Sequence, residues 1–156
     1  MNTPAIPYAA VMPYLTVSDA SKAIAFYKEA FGATERFRLA DAESGRVGHA
    51  ELVLNGSIIM LSDEHPAYGN KSPLALGGSA VTFCVMVENT DVSFAGAIAA
   101  GATVIMPPGD QFYGFRSASV RDPFGHQWML QHEIEKVSPE EMQARWDAMV
   151  KSCKPQ

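Results

Sequence analysis

His49 and Glu51 have the types and the spacing to do chemistry: an imidazole and a carboxylate two positions apart in the run RVGHAELVL. In an extended chain alternate residues share a face, so the two side chains stand together. They can then act as an acid/base pair or as two ligands of one metal ion. Polar residues on a half-exposed strand also serve solubility alone, and the pair by itself does not separate these roles. The turn that follows bears on the choice. Asn55-Gly56 is a pair favoured in type I′ hairpins, and SIIMLS continues beyond it. Pairing outward from that turn sets Leu54 opposite Ser57, Val53 opposite Ile58, Glu51 opposite Met60 and His49 opposite Ser62. Opposed residues share a face. One face therefore carries His49, Glu51, Val53, Ile58, Met60 and Ser62, polar groups mixed with a methionine as on a ligand-facing surface. The other carries Leu52, Ile59 and Leu61 and is expected to meet helices.

Other reactive or recognition-prone side chains are more scattered. Phe112 and Tyr113 lie on a loop rich in Pro and Gly, where large aromatic groups suit a flap over a ligand or a contact with a second subunit. Cys84 sits inside an apolar run with no cationic neighbour in the sequence to make it a nucleophile. Together with Cys153 in the tail it forms neither a metal spacing nor a disulfide framework, so both are expected as free thiols in a reducing cytoplasm. His126 and His132 flank the last apolar run as a turn residue and a strand end. His65 lies in a linker and carries no signal.

The elements that position these residues come as a repeat. VMPYLTVSDASKAIAFYKEAFGAT, from Val11, returns as VTFCVMVENTDVSFAGAIAAGAT, from Val81. Each copy runs from an apolar strand through a polar cluster with an acid to an amphipathic alanine-rich run that stops at Gly-Ala-Thr. Ser18 or Asp19 can cap the first helix, Ala23, Phe26, Tyr27, Ala30 and Phe31 give it one apolar face, and Gly32 ends it. Strands are expected over 11–17, 35–39, the hairpin 46–62, 81–87, 104–106, 116–121 and 127–132, with a second helix over 91–100 and a loop over 107–114. The order strand, helix, three strands occurs twice, in a first module of about 11–63 and a second of about 81–132, joined by a Gly/Pro/Ser-rich linker of about 64–80. Residues 1–10 read as an extended arm. Ser138-Pro139-Glu140-Glu141 is a capping box that opens a C-terminal helix over about 138–152, whose Met142, Trp146 and Met149 need apolar cover. Duplicated units keep a ligand site where they face each other.

Composition bounds the function. At 156 residues the chain fits one domain, and such a chain buries about 70% of its unfolded surface. It is 47% hydrophobic and 19% charged, with a net charge of -5, which argues against nucleic acid and anionic membranes as partners, since both call for clustered Lys and Arg. No apolar stretch approaches the roughly 18 residues of a membrane helix, and prolines interrupt the N-terminal stretch where an export signal would need a continuous apolar core. The expected location is cytoplasmic.

The stretches PYLTVSDASKAIAFYKEAFGA, HAELVLNGSIIMLSDE, YGFR and DPFGHQW resemble the vicinal oxygen chelate superfamily, the glyoxalase, bleomycin resistance and dioxygenase type, and within it the PhnB-like branch. The chain departs from that branch at Phe115, where the branch commonly shows Asp. The resemblance implies an α+β fold of two βαβββ modules that form a curved mixed sheet around a central pocket, and a homodimer. It also implies a divalent metal on four positions, which fall here on Met12, Met60, Thr82 and Met129. Three thioethers and a hydroxyl are not ligands for a hard or borderline divalent ion. They could hold Cu(I), but flexible methionines more often line apolar pockets. No cofactor is therefore expected. By the same resemblance Arg116 is a pocket-rim arginine whose fork can grip a carboxylate or phosphate, although a salt bridge to Asp122 or Glu51 would explain it as well. The pocket lining so implied is Met12, Tyr14, His49, Glu51, Met60, Ser62, Thr82, Cys84, Phe112, Tyr113, Arg116 and Met129, while Trp128, of opposite parity to Met129, belongs to the core.

Two functions of different kinds follow. One is a small-molecule-binding protein that sequesters a toxic or antibiotic-like organic compound. The other is an enzyme, a lyase, isomerase or dioxygenase, with a relocated metal or an acid/base pair at His49 and Glu51. A structural dimer with a vestigial pocket is a third.

Overall fold

The computed structural model describes residues 6–152. The elements run β1 (Tyr14–Val17), α1 (Ala20–Phe31), β2 (Thr34–Ala40), β3 (Val47–Leu54), β4 (Ser57–Asp63), a 3-10 turn (Pro66–Tyr68), α2 (Pro73–Leu76), β5 (Thr82–Met86), α3 (Thr90–Ala99), β6 (Thr103–Asp110), β7 (Phe115–Arg121), β8 (Gln127–Glu133) and α4 (Pro139–Ser152). The repeat is real: each unit is a four-stranded mixed sheet, ordered β1-β4-β3-β2 and β5-β8-β7-β6. In each the first and last strands pair in parallel and the rest antiparallel. Residues 1–5 of the expected arm and Cys153 lie outside the described residues.

Local chemistry sets the boundaries. Asp19 caps α1 by accepting the Lys22 N–H, and Asn89 caps α3 by accepting the Val92 N–H, satisfying donors that a helix start leaves free. Gly32 ends α1 in the left-handed region at φ 68, its N–H donating to the Lys28 carbonyl. Asn55 and Gly56 both have positive φ, 46 and 78, and β3 pairs with β4 in the register that this turn dictates, Leu54 with Ser57 through Glu51 with Met60 and Ala50 with Leu61. Two boundaries differ from expectation. β1 begins at Tyr14, which leaves Met12 ahead of the strand. β6 continues through Pro107 and Pro108 to Asp110, where a loop was expected. It is an edge strand with two breaks in register, and an edge tolerates prolines because the missing N–H has no ladder to serve.

Helices cover one side of each sheet. Ala23, Ile24, Phe26, Tyr27 and Ala30 of α1 are buried with Leu15, Val17, Ala50, Leu52 and Leu61. The second unit contributes Val85, Ala97, Val120, Trp128 and Leu130 to the same cluster. Trp128 joins the units: it is 1% exposed, with its ring centroid 4.8 Å from that of Phe31 and 4.9 Å from that of Phe83.

The DPFGHQW stretch acts as a latch. Asp122 is 3% exposed. One of its oxygens accepts the Phe124 and His126 N–H groups at 2.9 Å each and shapes the turn. The other accepts the Tyr27 hydroxyl at 2.8 Å and the Trp128 Nε1–H at 2.9 Å. Burial, and then the carboxylate beside it, pushes the Tyr27 phenol well above its ordinary pKa. His126 also spans the units, its Nε2 lying 3.2 Å from the Thr16 carbonyl, and burial lowers its pKa. YGFR has a comparable structural reason. Gly114 lies at φ 87 with its carbonyl accepting the N–H groups of Ile134 and Glu135, and a Cβ there would collide with the Glu135 backbone.

α4 is capped as expected, Ser138 Oγ accepting the Glu141 N–H. Arg145 ties it to Glu135 and to the Phe112 carbonyl, and Trp146 packs against Phe112 at 5.7 Å. Trp146 and Met149 nevertheless remain 47% and 40% exposed. No helix among the described residues is long and apolar enough to cross a membrane.

Candidate functional site

The sheet face turned away from α1 carries most of the expected lining of the first unit. Strand register sets Phe37, Glu51, Met60 and Tyr14 in one row across β2, β3, β4 and β1. Thr16 and Ser62 form part of the next row, and His49 pairs with Leu39. A hydrogen-bonded chain crosses this face. The Tyr14 hydroxyl is 3.0 Å from His49 Nδ1, and His49 Nε2 is 3.4 Å from Glu51. When Nδ1 accepts from Tyr14, Nε2–H is left to donate to the carboxylate. Glu51 is only 2% exposed; Arg36 compensates its charge at 2.9 Å, and the Tyr8 hydroxyl donates to it at 3.0 Å.

Beside this chain opens a cavity of about 770 Å³ that includes Tyr14, Leu39, Gly48, Ser62, His65 and Tyr68 in its lining. The His65 and Tyr68 rings lie 4.2 Å apart, and His65 Nδ1 is buried without a hydrogen-bond partner. Arg46 lines the same space. The linker therefore supplies a wall of the cavity, which its Gly- and Pro-rich composition did not reveal. The only hint was HPAY, an imidazole and a phenol a few positions apart.

The second unit presents a matching face. Cys84 pairs with Met129 and Met129 with Ser119, while Thr82 pairs with Gln127. Tyr113 reaches this surface, its hydroxyl 3.2 Å from Ser117 Oγ, which donates to Gln131 at 3.1 Å. Phe112 turns instead to Trp146. Partial burial raises the Cys84 thiol pKa, so it is not an activated thiolate. A smaller cleft of about 310 Å³ between the units is lined by residues including Pro13, Ile59, Phe83 and Cys84. Neither Met60 nor Met129 lines either cavity.

Arg116 is placed differently from expectation. It alternates with Ser117 and shares its side with Ala118 and Val120, both buried toward the core. Its guanidinium forks onto Asp91 in the first turn of α3 at 2.6 and 2.8 Å and reaches Asp110 at 2.7 Å. It is thus a clamp on the helix side, and its ion-pair partners are Asp91 and Asp110, not Asp122 or Glu51. On the face turned away from α1, the arginine beside Glu51 is Arg36. A break in the β2–β3 register between Glu35 and Phe37 lets Arg36 and Phe37 both reach the face of Glu51, against the strict alternation of a regular strand.

The donor set does not suit a divalent metal. Met12, Met60, Thr82 and Met129 offer three thioethers and a hydroxyl, and Glu51 is already engaged by Arg36, His49 and Tyr8. Among the described residues no three His, Cys, Asp or Glu side chains converge as a metal site would require.

Residues 6–130 match the model of the Glyoxalase/Bleomycin resistance protein/Dioxygenase superfamily. The chain belongs to that superfamily. An uncharacterized protein of Mycobacterium tuberculosis, Rv0887c, is 43% identical over 138 residues, covering 86% of this chain and 81% of its own. The crystal structure of TioX from Micromonospora sp. ML1 superposes with a TM-score of 0.63 at 26% identity, over 80% of this chain and 98% of TioX. The PhnB protein of Bacillus cereus shares the fold, with a TM-score of 0.61 at 23% identity over 80% of this chain and 99% of its own. Within the superfamily fold, this chain puts methionine or threonine where the resemblance calls for metal ligands.

Proposed function

We propose that the protein binds and sequesters a small organic molecule on the helix-free face of its first sheet, without the superfamily's metal. The cavity beside Tyr14 carries this reading. Tyr14, Tyr68 and His65 offer aromatic faces, Ser62 a hydroxyl and Arg46 a cation, the mix of broad apolar contact and few polar anchors that small-molecule sites use. In this reading Arg46, which lines the cavity, is the anion anchor in place of Arg116, which pairs with Asp91 and Asp110. A flat, partly aromatic ligand with a hydrogen-bonding or acidic group fits this lining.

A thermal-shift panel of aromatic antibiotics, α-keto acids and glutathione adducts tests the reading. A ligand at a hundred times its Kd adds about 2.7 kcal/mol to apparent stability, and an aromatic member of the panel is expected to raise Tm accordingly. Stoichiometric zinc, nickel, iron or manganese at Met12, Met60, Thr82 and Met129 after purification without chelators would overturn the metal-free site. The Tyr14–His49–Glu51 chain favours a second reading, acid/base catalysis on the bound molecule, and recovery of a chemically altered ligand by mass spectrometry would decide for it.

The protein is also proposed to be a homodimer. Tyr14, Phe37, Leu39, Trp146 and Met149 are all at least 40% exposed, which is much apolar surface for a monomer to leave in water. Analytical ultracentrifugation at micromolar concentration should give twice the chain mass, and a monomer would refute it.

A further inference from the structure

We propose that Glu51 and Arg36 form a recognition site for a phenolic hydroxyl, and that the chain's own Tyr8 fills it as a displaceable plug. This rests on the small-molecule reading above and names the class of ligand.

Tyr8 belongs to the N-terminal arm, outside any helix or strand. Its hydroxyl lies 3.0 and 3.3 Å from the two oxygens of Glu51, and its ring sits on Arg36, with the guanidinium carbon 5.0 Å from the ring centroid. These are the contacts that define a phenol chemically: an O–H donating to an anion, and a π face against a cation. The ring is otherwise loosely held, for Tyr8 is 57% exposed and the following residues through Val11 are exposed as well. Glu51, by contrast, is 2% exposed and fixed by Arg36 and His49. The acceptor is buried and held on several sides while the donor is largely exposed, as a site and its occupant should be.

The surroundings select the ligand. With Tyr8 withdrawn, the Glu51 acceptor lies beside the aromatic run of Phe37, His49 and Tyr14, whose successive centroids are 5.7 and 5.6 Å apart. A ligand phenol replaces the Tyr8 hydroxyl without loss of a hydrogen bond, so the buried carboxylate is never left short of a donor. An aliphatic alcohol lacks the face that Arg36 takes, and a carboxylate or phosphate meets the negative charge of Glu51. Tyr8 competes from the same chain at an effective concentration of about millimolar, so only phenols that gain further contacts, for instance in the adjoining cavity, displace it.

The free side chain of tyrosine, p-cresol, is the probe, and toluene is its control without the hydroxyl. Calorimetric titration of Tyr8→Ala should show p-cresol binding about tenfold tighter than to the native chain, the factor expected when a competitor at about millimolar effective concentration with an intrinsic constant of about 0.1 mM is removed. The same variant should prefer p-cresol to toluene about tenfold, the factor that a charge-assisted hydrogen bond contributes. Tyr8→Phe keeps the ring on Arg36 but not the hydroxyl and should fall between the native chain and Tyr8→Ala, a check that survives if the alanine variant is poorly folded by circular dichroism. Equal p-cresol affinity in all three chains, or toluene binding as tightly as p-cresol, overturns the proposal. If a compound of the thermal-shift panel binds while p-cresol ignores Tyr8→Ala, only the phenol site falls. If p-cresol binds Tyr8→Ala and nothing on the panel binds, the phenol site stands and the wider reading of the cavity falls.

Discussion

Asp122→Ala is expected to cost about 3 to 5 kcal/mol, because it leaves several buried donors without their acceptor, each at about 1 to 3 kcal/mol before the joint relaxes. A typical domain has only about 5 to 15 kcal/mol in hand. The substitution strands the Tyr27 hydroxyl, the Trp128 indole N–H and the backbone N–H groups of Phe124 and His126, which the carboxylate now satisfies. All four residues are buried, so water cannot replace the acceptor without opening the joint between the two units. Urea unfolding followed by circular dichroism measures the loss. Asp122→Asn keeps one carbonyl oxygen and should retain part of the stability. A cost below about 1 kcal/mol for the alanine variant would mean that water enters the joint and satisfies these donors.

Trp128→Ala is the second large effect, at about 3 to 5 kcal/mol for removing a fully packed indole. The ring lies between Phe31 of the first unit and Phe83 of the second, with Tyr27 at 5.3 Å. Its loss opens a cavity at the seam where neither unit can collapse independently. Trp128→Phe keeps an aromatic ring but drops the donor to Asp122 and part of the indole's volume, so it should cost more than the about 1 kcal/mol of the hydrogen bond alone and less than Trp128→Ala. Because Trp128 and Asp122 share that bond, the Asp122→Ala and Trp128→Phe losses should sum to more than the double variant shows. Full additivity would mean that the two side chains act independently.

Both variants should spare ligand contacts, because Asp122 and Trp128 lie in the buried core and line no part of the 770 Å³ cavity. Stability and binding should therefore be separable: damage at the joint is expected to act through the folded fraction, and damage at Tyr14 or Glu51 on the proposed site itself.

Much of this was written locally. The caps at Asp19 and Asn89, the stop at Gly32 and the Asn55-Gly56 turn each act within a few residues, and the hairpin register that follows places Glu51 beside Met60 as the alternation requires. The duplication needs only comparison of the chain with itself, and it yields both sheets. Arg116 was not legible in this way. Pairing outward from the 122–125 turn, as from Asn55-Gly56, sets it opposite Gln131 on the side of Met129, but the turn takes up His126 as well, so Arg121 pairs with Gln127 and Arg116 with His132, on the side of Leu130 and Trp128. One extra turn residue is enough to move a side chain to the opposite face.

What the sequence by itself determined is the pair of modules, the faces of their regular strands and the unsuitability of Met12, Met60, Thr82 and Met129 for a divalent metal, because these follow from period, turn type and donor chemistry. Only the tertiary structure decided who neutralises Glu51 and who latches onto Asp122. Arg36 reaches Glu51 through a break in strand register, Tyr8 arrives from an arm without periodicity, and Tyr27 meets Asp122 from a helix in the other module. Such partners are chosen by desolvation, since a carboxylate withdrawn from water must find donors wherever the fold brings them. That requirement acts through space and leaves no regular spacing along the chain.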